Sequence, residues 1–140
     1  MNKTNFHDDV QIPEGLKIFL LTDGIKDLKP LEDWGIYLAS KAGKKGALTS
    51  SQIRRFFGAL KRIQADFDNL KGEILLLSYK LAYAVGRDKK ENGQQKTKID
   101  DFYQQLNPMI RNIQEDQTKF NNFVRVVEAL VAFHKANGGN

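Results

Sequence analysis

Few side chains in this sequence could carry out chemistry. Its 140 residues include no cysteine and two histidines, His7 and His134. Thiolate metal sites and thiol nucleophiles are therefore excluded, and little remains for a histidine-based metal centre. His7-Asp8-Asp9 contains the His-Asp dipeptide of metal phosphohydrolases, but those sites need several further His and Asp ligands. The sequence favours a polar terminus there rather than a metal site.

Two other segments resemble reactive sites only superficially. Residues 42–46 read Ala-Gly-Lys-Lys-Gly, but Leu38 stands where a phosphate loop would have its first glycine, and no strand precedes it. His134 lies on the apolar stripe near the end of the last predicted helix, where it could donate to last-turn carbonyls. We therefore expect no enzyme activity, no metal and no cofactor.

The chemistry that the sequence does favour is contact with a polyanion. The formal net charge is +5, and residues 41–98 hold 14 Lys and Arg against 5 Asp and Glu. A basic middle segment flanked by mildly acidic segments is typical of a protein with a surface that binds nucleic acid. A solvated charged face with no partner would have the same composition, so charge alone leaves both interpretations open.

A capped amphipathic helix presents part of this charge. Thr49-Ser50-Ser51-Gln52 matches a capping box, in which two side chains accept hydrogen bonds from backbone amides that are otherwise unpaired at a helix start. Behind it, one apolar stripe is formed by Ile53, Phe56, Phe57, Leu60, Ile63 and Phe67. Gly58 lowers helix stability by roughly 1 kcal/mol relative to alanine, which a close approach of another backbone would explain.

The helical rotation of about 100° per residue separates the cations of this helix into two columns. Arg54 and Lys61 lie about 90° from Ile53 around the axis, and Arg55 and Arg62 lie about 190° from it. Both columns therefore point away from the predicted core.

A second basic face is predicted on the helix that we expect over residues 69–87. Lys80, Tyr83 and Arg87 share one side of it, and two cations around an aromatic ring suit contact with a phosphate and packing on a sugar or base. A half-buried tyrosine flanked by solubilising cations explains the pattern equally well. Lys44 and Lys45 extend the basic surface at the preceding helix junction.

Helices must position all of these residues. Apolar periodicity predicts helices near 30–42, 49–67, 69–87, 99–113 and 118–135, with a kink or break at Pro108. The predicted fold class is all-α: a compact bundle of about five helices in a single domain, 1–140. Residues 1–12 should be loose, 13–28 form a short element of uncertain type, and the charged loop 88–97 should be mobile. The predicted core includes Ile53, Phe56, Phe57, Leu60, Leu77, Leu81, Phe123, Val127 and Val131.

No segment is suited to a membrane. The longest apolar runs, such as 129–133, contain five residues, whereas a spanning helix needs about 20. The first ten residues lack the apolar region of a signal peptide. We expect a cytoplasmic protein without a membrane partner.

Three segments resemble the small subunit of type III-A CRISPR effectors, the Csm complex. Residues 48–56 are similar to the family's LTTSQ(L/I)R segment, 81–87 to its (A/Y)Y-x-x-GR segment, and 123–139 to its F-x-x-x-x-EA(L/I)VAY-x-K…GG ending. Ser50 replaces the second Thr, and Phe133 stands where Tyr is usual.

The resemblance implies a helical, non-catalytic subunit of a ribonucleoprotein that helps to hold the target during antiviral interference. Its implied partners are guide RNA and target RNA, the backbone and large subunits, and neighbouring small subunits, with self-association. Such a subunit would contact the sugar-phosphate backbone of an A-form-like duplex, while base pairing between guide and target supplies specificity. Within or beside the matched segments lie the candidate RNA-binding residues Arg54, Arg55 and Arg87. Charge geometry adds Lys44, Lys45, Lys61, Arg62, Lys80 and Lys135.

Two alternatives belong to other classes. A capped helix with Arg54-Arg55 near its start could be the recognition helix of a helix-turn-helix DNA-binding protein, although it offers few base-reading side chains beyond Gln52. A bundle that binds only proteins is the other alternative.

Overall fold

Helices dominate the computed structural model, which describes residues 11–139. Within that range the α-helices are α1 (Leu20–Asp23), α2 (Lys29–Ala39), α3 (Ser50–Ala65), α4 (Phe67–Leu70), α5 (Leu76–Arg87), α6 (Ile99–Ile113) and α7 (Gln117–Ala136). In place of strands, the described range has two isolated bridges, Gly46 with Thr97 and Lys89 with Gln95. The all-α prediction is confirmed. Residues 1–10, including His7 and the following aspartates, lie outside the described residues.

The predicted number of about five helices was wrong, because seven α-helices are present between residues 11 and 139. The two additions, α1 and α4, are four residues each, too short to produce a periodic signal. The single helix predicted over 69–87 is divided: a 3₁₀ turn at Lys71–Glu73 follows α4, and α5 begins only at Leu76. Gly72 lies in that turn, and glycine is a poor helix former.

One hydrophobic cluster joins these helices. The most extensive packing is between α2 and α7, followed by α5 against α6 and α1 against α7. Gly35 makes the closest crossing possible, because a Cβ at that position would overlap Phe133 and approach the backbone of His134. Of the nine predicted core residues, seven are buried; Phe57 and Val131 are only partly buried and pack against the cluster from its edge.

Two local predictions need correction. Helix α6 continues from Ile99 to Ile113 through Pro108, so of the expected kink or break the break is absent, and the kink stays a prediction. Pro108 and Gln104 are both exposed, so water can satisfy the Gln104 carbonyl that loses its partner. Gly58 does not mark a close backbone approach, because a Cβ there would meet no atom within 4 Å.

Among residues 11–139, no helix is both long and apolar enough to cross a membrane. In the same range, every buried side-chain nitrogen and oxygen has a hydrogen-bond partner. The polar side chains inside the bundle are therefore part of its architecture, and several of them define the site described next.

Candidate nucleic-acid interface

A groove of about 560 Å³ opens between the first half of α3 and the last half of α5. Its floor includes Phe56, Leu81 and Ile99, all of which are buried. Arg55, Lys80, Tyr83 and Arg87 line the same groove and are exposed. The result is a groove that the hydrophobic core closes at its base and that has a basic, aromatic rim.

The predicted capping box fixes one side of the groove. Thr49 Oγ1 accepts a hydrogen bond from the Gln52 amide at 3.1 Å, and the Thr49 amide donates to Gln52 Oε1 at 2.9 Å. The same Gln52 side chain also donates to Asp88 at 3.3 Å and to the Thr97 hydroxyl at 3.1 Å. The start of α3 is thereby tied to the end of α5.

Asp88 fixes the other side of the groove. This buried carboxylate directly follows Arg87. Its Oδ2 accepts from the Thr97 amide at 2.9 Å, from the Thr97 hydroxyl at 3.0 Å and from Gln95 at 3.0 Å. These bonds hold the end of α5 and tie both ends of the loop 88–97; the mobility predicted for that loop stays a prediction. Sequence reasoning missed Asp88, although an acid directly after a helix-ending Gly-Arg within a basic segment was a usable signal.

The rim of the groove is positively charged. Within the described chain, no carboxylate forms an ion pair with Arg55, Lys80 or Arg87. The Arg87 guanidinium lies 5.7 Å from the centroid of the Tyr83 ring, a cation–π distance. Tyr83 is 68% exposed, so it is not the half-buried core residue of the alternative interpretation.

Three other candidates have their charge matched by a carboxylate. Lys45 donates to Asp100 at 3.1 Å and to Asp101 at 2.6 Å. Lys61 pairs with Glu128 at 3.1 Å, and Arg62 pairs with Glu73 at 2.6 Å. These partners lie on other elements, up to 67 residues away in sequence for Lys61.

The remaining candidates are exposed but do not line the groove. They are Arg54, Lys44 and Lys135. Arg54 is the neighbour of Arg55, yet the rotation of about 100° per residue turns it toward a different side of α3. Of the nine candidates, the structure brings three, Arg55, Lys80 and Arg87, to one place.

A buried lysine organises the segment that superficially resembled a phosphate loop. Lys98 is 2% exposed, and its Nζ donates to the carbonyls of Ser40 at 2.9 Å, Ala42 at 3.2 Å and Lys45 at 2.8 Å. In a phosphate loop, backbone amides converge on an anion; here carbonyls converge on a cation. Burial lowers the pKa of Lys98. Nothing in the sequence separated this lysine from its solvated neighbours.

His134 is buried, and its partner differs from the predicted one. Its Nε2 lies 2.7 Å from the carbonyl of Leu48, to which it donates, rather than bonding within its own last turn. Gly139 packs on the ring so closely that a Cβ there would overlap it. The residue joins the end of α7 to the segment before α3.

Comparison with protein families gives one result that decides the family. A family described as Csm2 Type III-A matches residues 26–140. The chain belongs to the Csm2 family. It is thus a small subunit of the type III-A CRISPR Csm complex, as the three segments predicted. Searches of curated proteins and of solved structures gave no match.

In this Csm2 chain, the first of the three segments that carry the resemblance is hydrogen-bonded to the residue that follows the second segment and to the third segment. Gln52 of the first segment bonds to Asp88, which directly follows the second. Leu48 of the first segment bonds to His134 of the third. Within residues 11–139 of this Csm2 chain, no cluster of three or more His, Cys, Asp or Glu side chains could hold a metal ion. The shared residues therefore build one scaffold, and the groove lies at the junction of its first two parts.

Proposed function

We propose that this Csm2 chain is a non-catalytic RNA-binding subunit whose α3/α5 groove contacts the backbone of the guide RNA–target RNA pair. The proposal depends on one observation: Arg55, Lys80 and Arg87 line a single groove without a carboxylate partner among the described residues. Phosphates attract such a cluster whatever the base sequence. Base pairing with the guide then supplies specificity.

The proposed assembly places this subunit beside guide and target RNA, the backbone and large subunits, and neighbouring small subunits, in the cytoplasm. A few phosphate contacts per copy give weak binding by themselves. Several copies along one strand bind tightly, because each later contact forms at high effective concentration. The role is to hold target RNA during antiviral interference, with cleavage left to other subunits.

Charge reversal in the groove tests the proposal. Arg55→Glu and Arg87→Glu should each weaken target-RNA binding by the assembled complex by about tenfold, independently of RNA sequence. Arg54→Glu is the matched control, because it changes the charge equally at the adjacent exposed position outside the groove. Subunit composition is checked by native mass spectrometry.

The proposal is wrong if the two groove variants leave target binding unchanged in an intact complex, or if Arg54→Glu weakens it as much as they do. The slope of log K against log salt adds a second measurement on the isolated chain. Arg55→Ala and Arg87→Ala should each flatten it by about 0.7 to 0.9. Double-stranded DNA that binds more tightly than RNA would instead favour the DNA-binding alternative.

The absence of catalysis needs its own assay. Labelled RNA incubated with the purified chain, with and without Mg²⁺, should remain intact. Cleavage that persists through purification and disappears in a point variant of this chain would contradict the proposal.

A further inference from the structure

The α3/α5 groove has an interior that a purely phosphate-binding surface would not need. Its volume of about 560 Å³ lies within the range of small-molecule pockets, roughly 300–1,000 Å³. Behind the basic rim, Phe56, Leu81 and Ile99 close the bottom of the groove and are only 3%, 1% and 0% exposed, so the accessible apolar surface beside them is that of Tyr83 and the half-buried Ala84. We infer that this groove takes one unpaired nucleotide of single-stranded RNA, with its base inside and its phosphates on the rim; the inference rests on the proposed function.

The exposed ring of Tyr83 provides a surface on which a base can stack. It is 68% exposed and lines the groove, and the Arg87 guanidinium lies 5.7 Å from its centroid. Stacking on an aromatic side chain is tolerant of base identity, because every base has a flat face. The same Arg87 leaves a cation beside the stacked base for its phosphate.

A buried carboxylate in the lining of the groove sets the orientation of the nucleotide. Asp88 is buried, lines the groove and is held by Gln52, Gln95 and Thr97. Its negative charge disfavours a phosphate inside, whereas Arg55, Lys80 and Arg87 favour phosphates at the rim. The charge pattern therefore places the base inward and the backbone outward.

A duplex cannot use this interior. Its bases are paired and stacked, so it offers the groove only phosphates and 2′-hydroxyls. Single-stranded RNA offers the base as well. The groove should for that reason discriminate between the two forms through Tyr83, while its cations attract both.

The decisive measurement compares the two forms with two tyrosine variants of the full chain. The probes are a 12-nucleotide single-stranded RNA and the same strand annealed to its complement, followed by fluorescence anisotropy. Tyr83→Leu should weaken binding of the single strand by about tenfold and of the duplex by less than about twofold. Tyr79→Leu is the matched control, because Tyr79 is 67% exposed on the same helix but does not line the groove.

A spectroscopic readout makes the result independent of affinity. A single 2-aminopurine in the unpaired strand should be quenched by the wild-type chain and by Tyr79→Leu, but not by Tyr83→Leu at saturating protein. Urea unfolding confirms that each variant is folded.

The outcomes separate this inference from the proposed function. If Arg55→Glu weakens RNA binding while Tyr83→Leu affects neither form, or both forms equally, the groove binds phosphates only and the inference is wrong. If Tyr83→Leu instead disrupts assembly of the Csm complex without changing RNA binding, the ring is a protein contact, and the inference is again wrong. If neither RNA binds to the wild-type chain or to the assembled complex, the proposed function fails as well.

Discussion

Two regions of this chain are rich in basic side chains but use their positive charge in opposite ways. In the polar cluster beneath the 40–46 loop, Lys98 is enclosed by three backbone carbonyls and Lys45 by two aspartates. In the α3/α5 groove, Arg55, Lys80 and Arg87 line an open surface without an ion-pair partner among the described residues. The first region uses positive charge to hold the fold together, whereas the second leaves it available to a ligand. A count of lysines and arginines cannot distinguish these two uses.

Removing the central lysine of the polar cluster should lower the folding stability of the protein. Lys98→Met leaves three carbonyls without their donor in a buried site, and we expect a loss of about 2–5 kcal/mol in the free energy of unfolding. Urea denaturation followed by circular dichroism measures it. Lys44→Met, at an exposed position of the same loop, is the control and should change stability by no more than about 0.5 kcal/mol. Equal effects would mean that the carbonyl contacts of Lys98 contribute nothing.

Two single variants, each of which neutralises one lysine in one region, should show which region supports folding stability and which binds RNA. Lys45→Gln removes a half-buried contact with Asp100 and Asp101; it should lower the free energy of unfolding by about 1–2 kcal/mol and leave RNA affinity unchanged. Lys80→Gln should do the reverse, weakening RNA binding severalfold and leaving stability within about 0.5 kcal/mol. The comparison fails if Lys45→Gln weakens RNA binding as much as Lys80→Gln does.

The cluster should also have a distinct alkaline pH dependence. Burial raises the pKa of Tyr37, and the negative charge of Asp101, to which its hydroxyl donates at 3.0 Å, raises it further. Between the unfolded pKa of 10.0 and the higher folded value, the folded state holds a proton that the unfolded state has lost. This contribution is therefore complete below pH 10 and is lost as pH rises above it.

The variant Tyr37→Phe tests whether the stabilisation by Tyr37 falls as pH rises. Near neutral pH it should lower the free energy of unfolding by about 1 kcal/mol, because the hydrogen bond to Asp101 is lost. Above pH 10 the difference from wild type should shrink. Unfolding curves from pH 8 to pH 11 measure both effects, and a difference that grows with pH would show that the sign is wrong.

The smallest effect is expected on the exposed side of α3. Gly58 lies inside that helix, and a Cβ there would meet no atom within 4 Å. Gly58→Ala should raise the free energy of unfolding by up to about 1 kcal/mol, since alanine has the better helix propensity. Thermal unfolding measures the change. Destabilisation would show that the surface around Gly58 is packed rather than open.

Local patterns were sufficient for much of the fold. The capping box at Thr49 predicted the start of α3, and the stripe from Ile53 to Ile63 predicted its buried face apart from the partly buried Phe57; Phe67, the last residue of the stripe, is buried on α4. Such features depend on residues three or four positions apart, so the sequence displays them directly. The division of the 69–87 segment was missed because a 3₁₀ turn preserves most of the helical spacing while it changes the hydrogen bonding.

The arrangement of the candidate site could not be predicted from local sequence patterns. From its own residues the chain determined an all-helical fold, a basic middle segment and membership of the Csm2 family. Only the tertiary structure decided which cations are paired and which have no partner among the described residues, because the partners of the paired ones are distant in sequence: Asp100 for Lys45, Glu128 for Lys61 and the Ser40 carbonyl for Lys98. Electrostatic neutralisation acts over a few ångströms of space, and the packing of the helices and of the 40–46 loop determines which charges come that close.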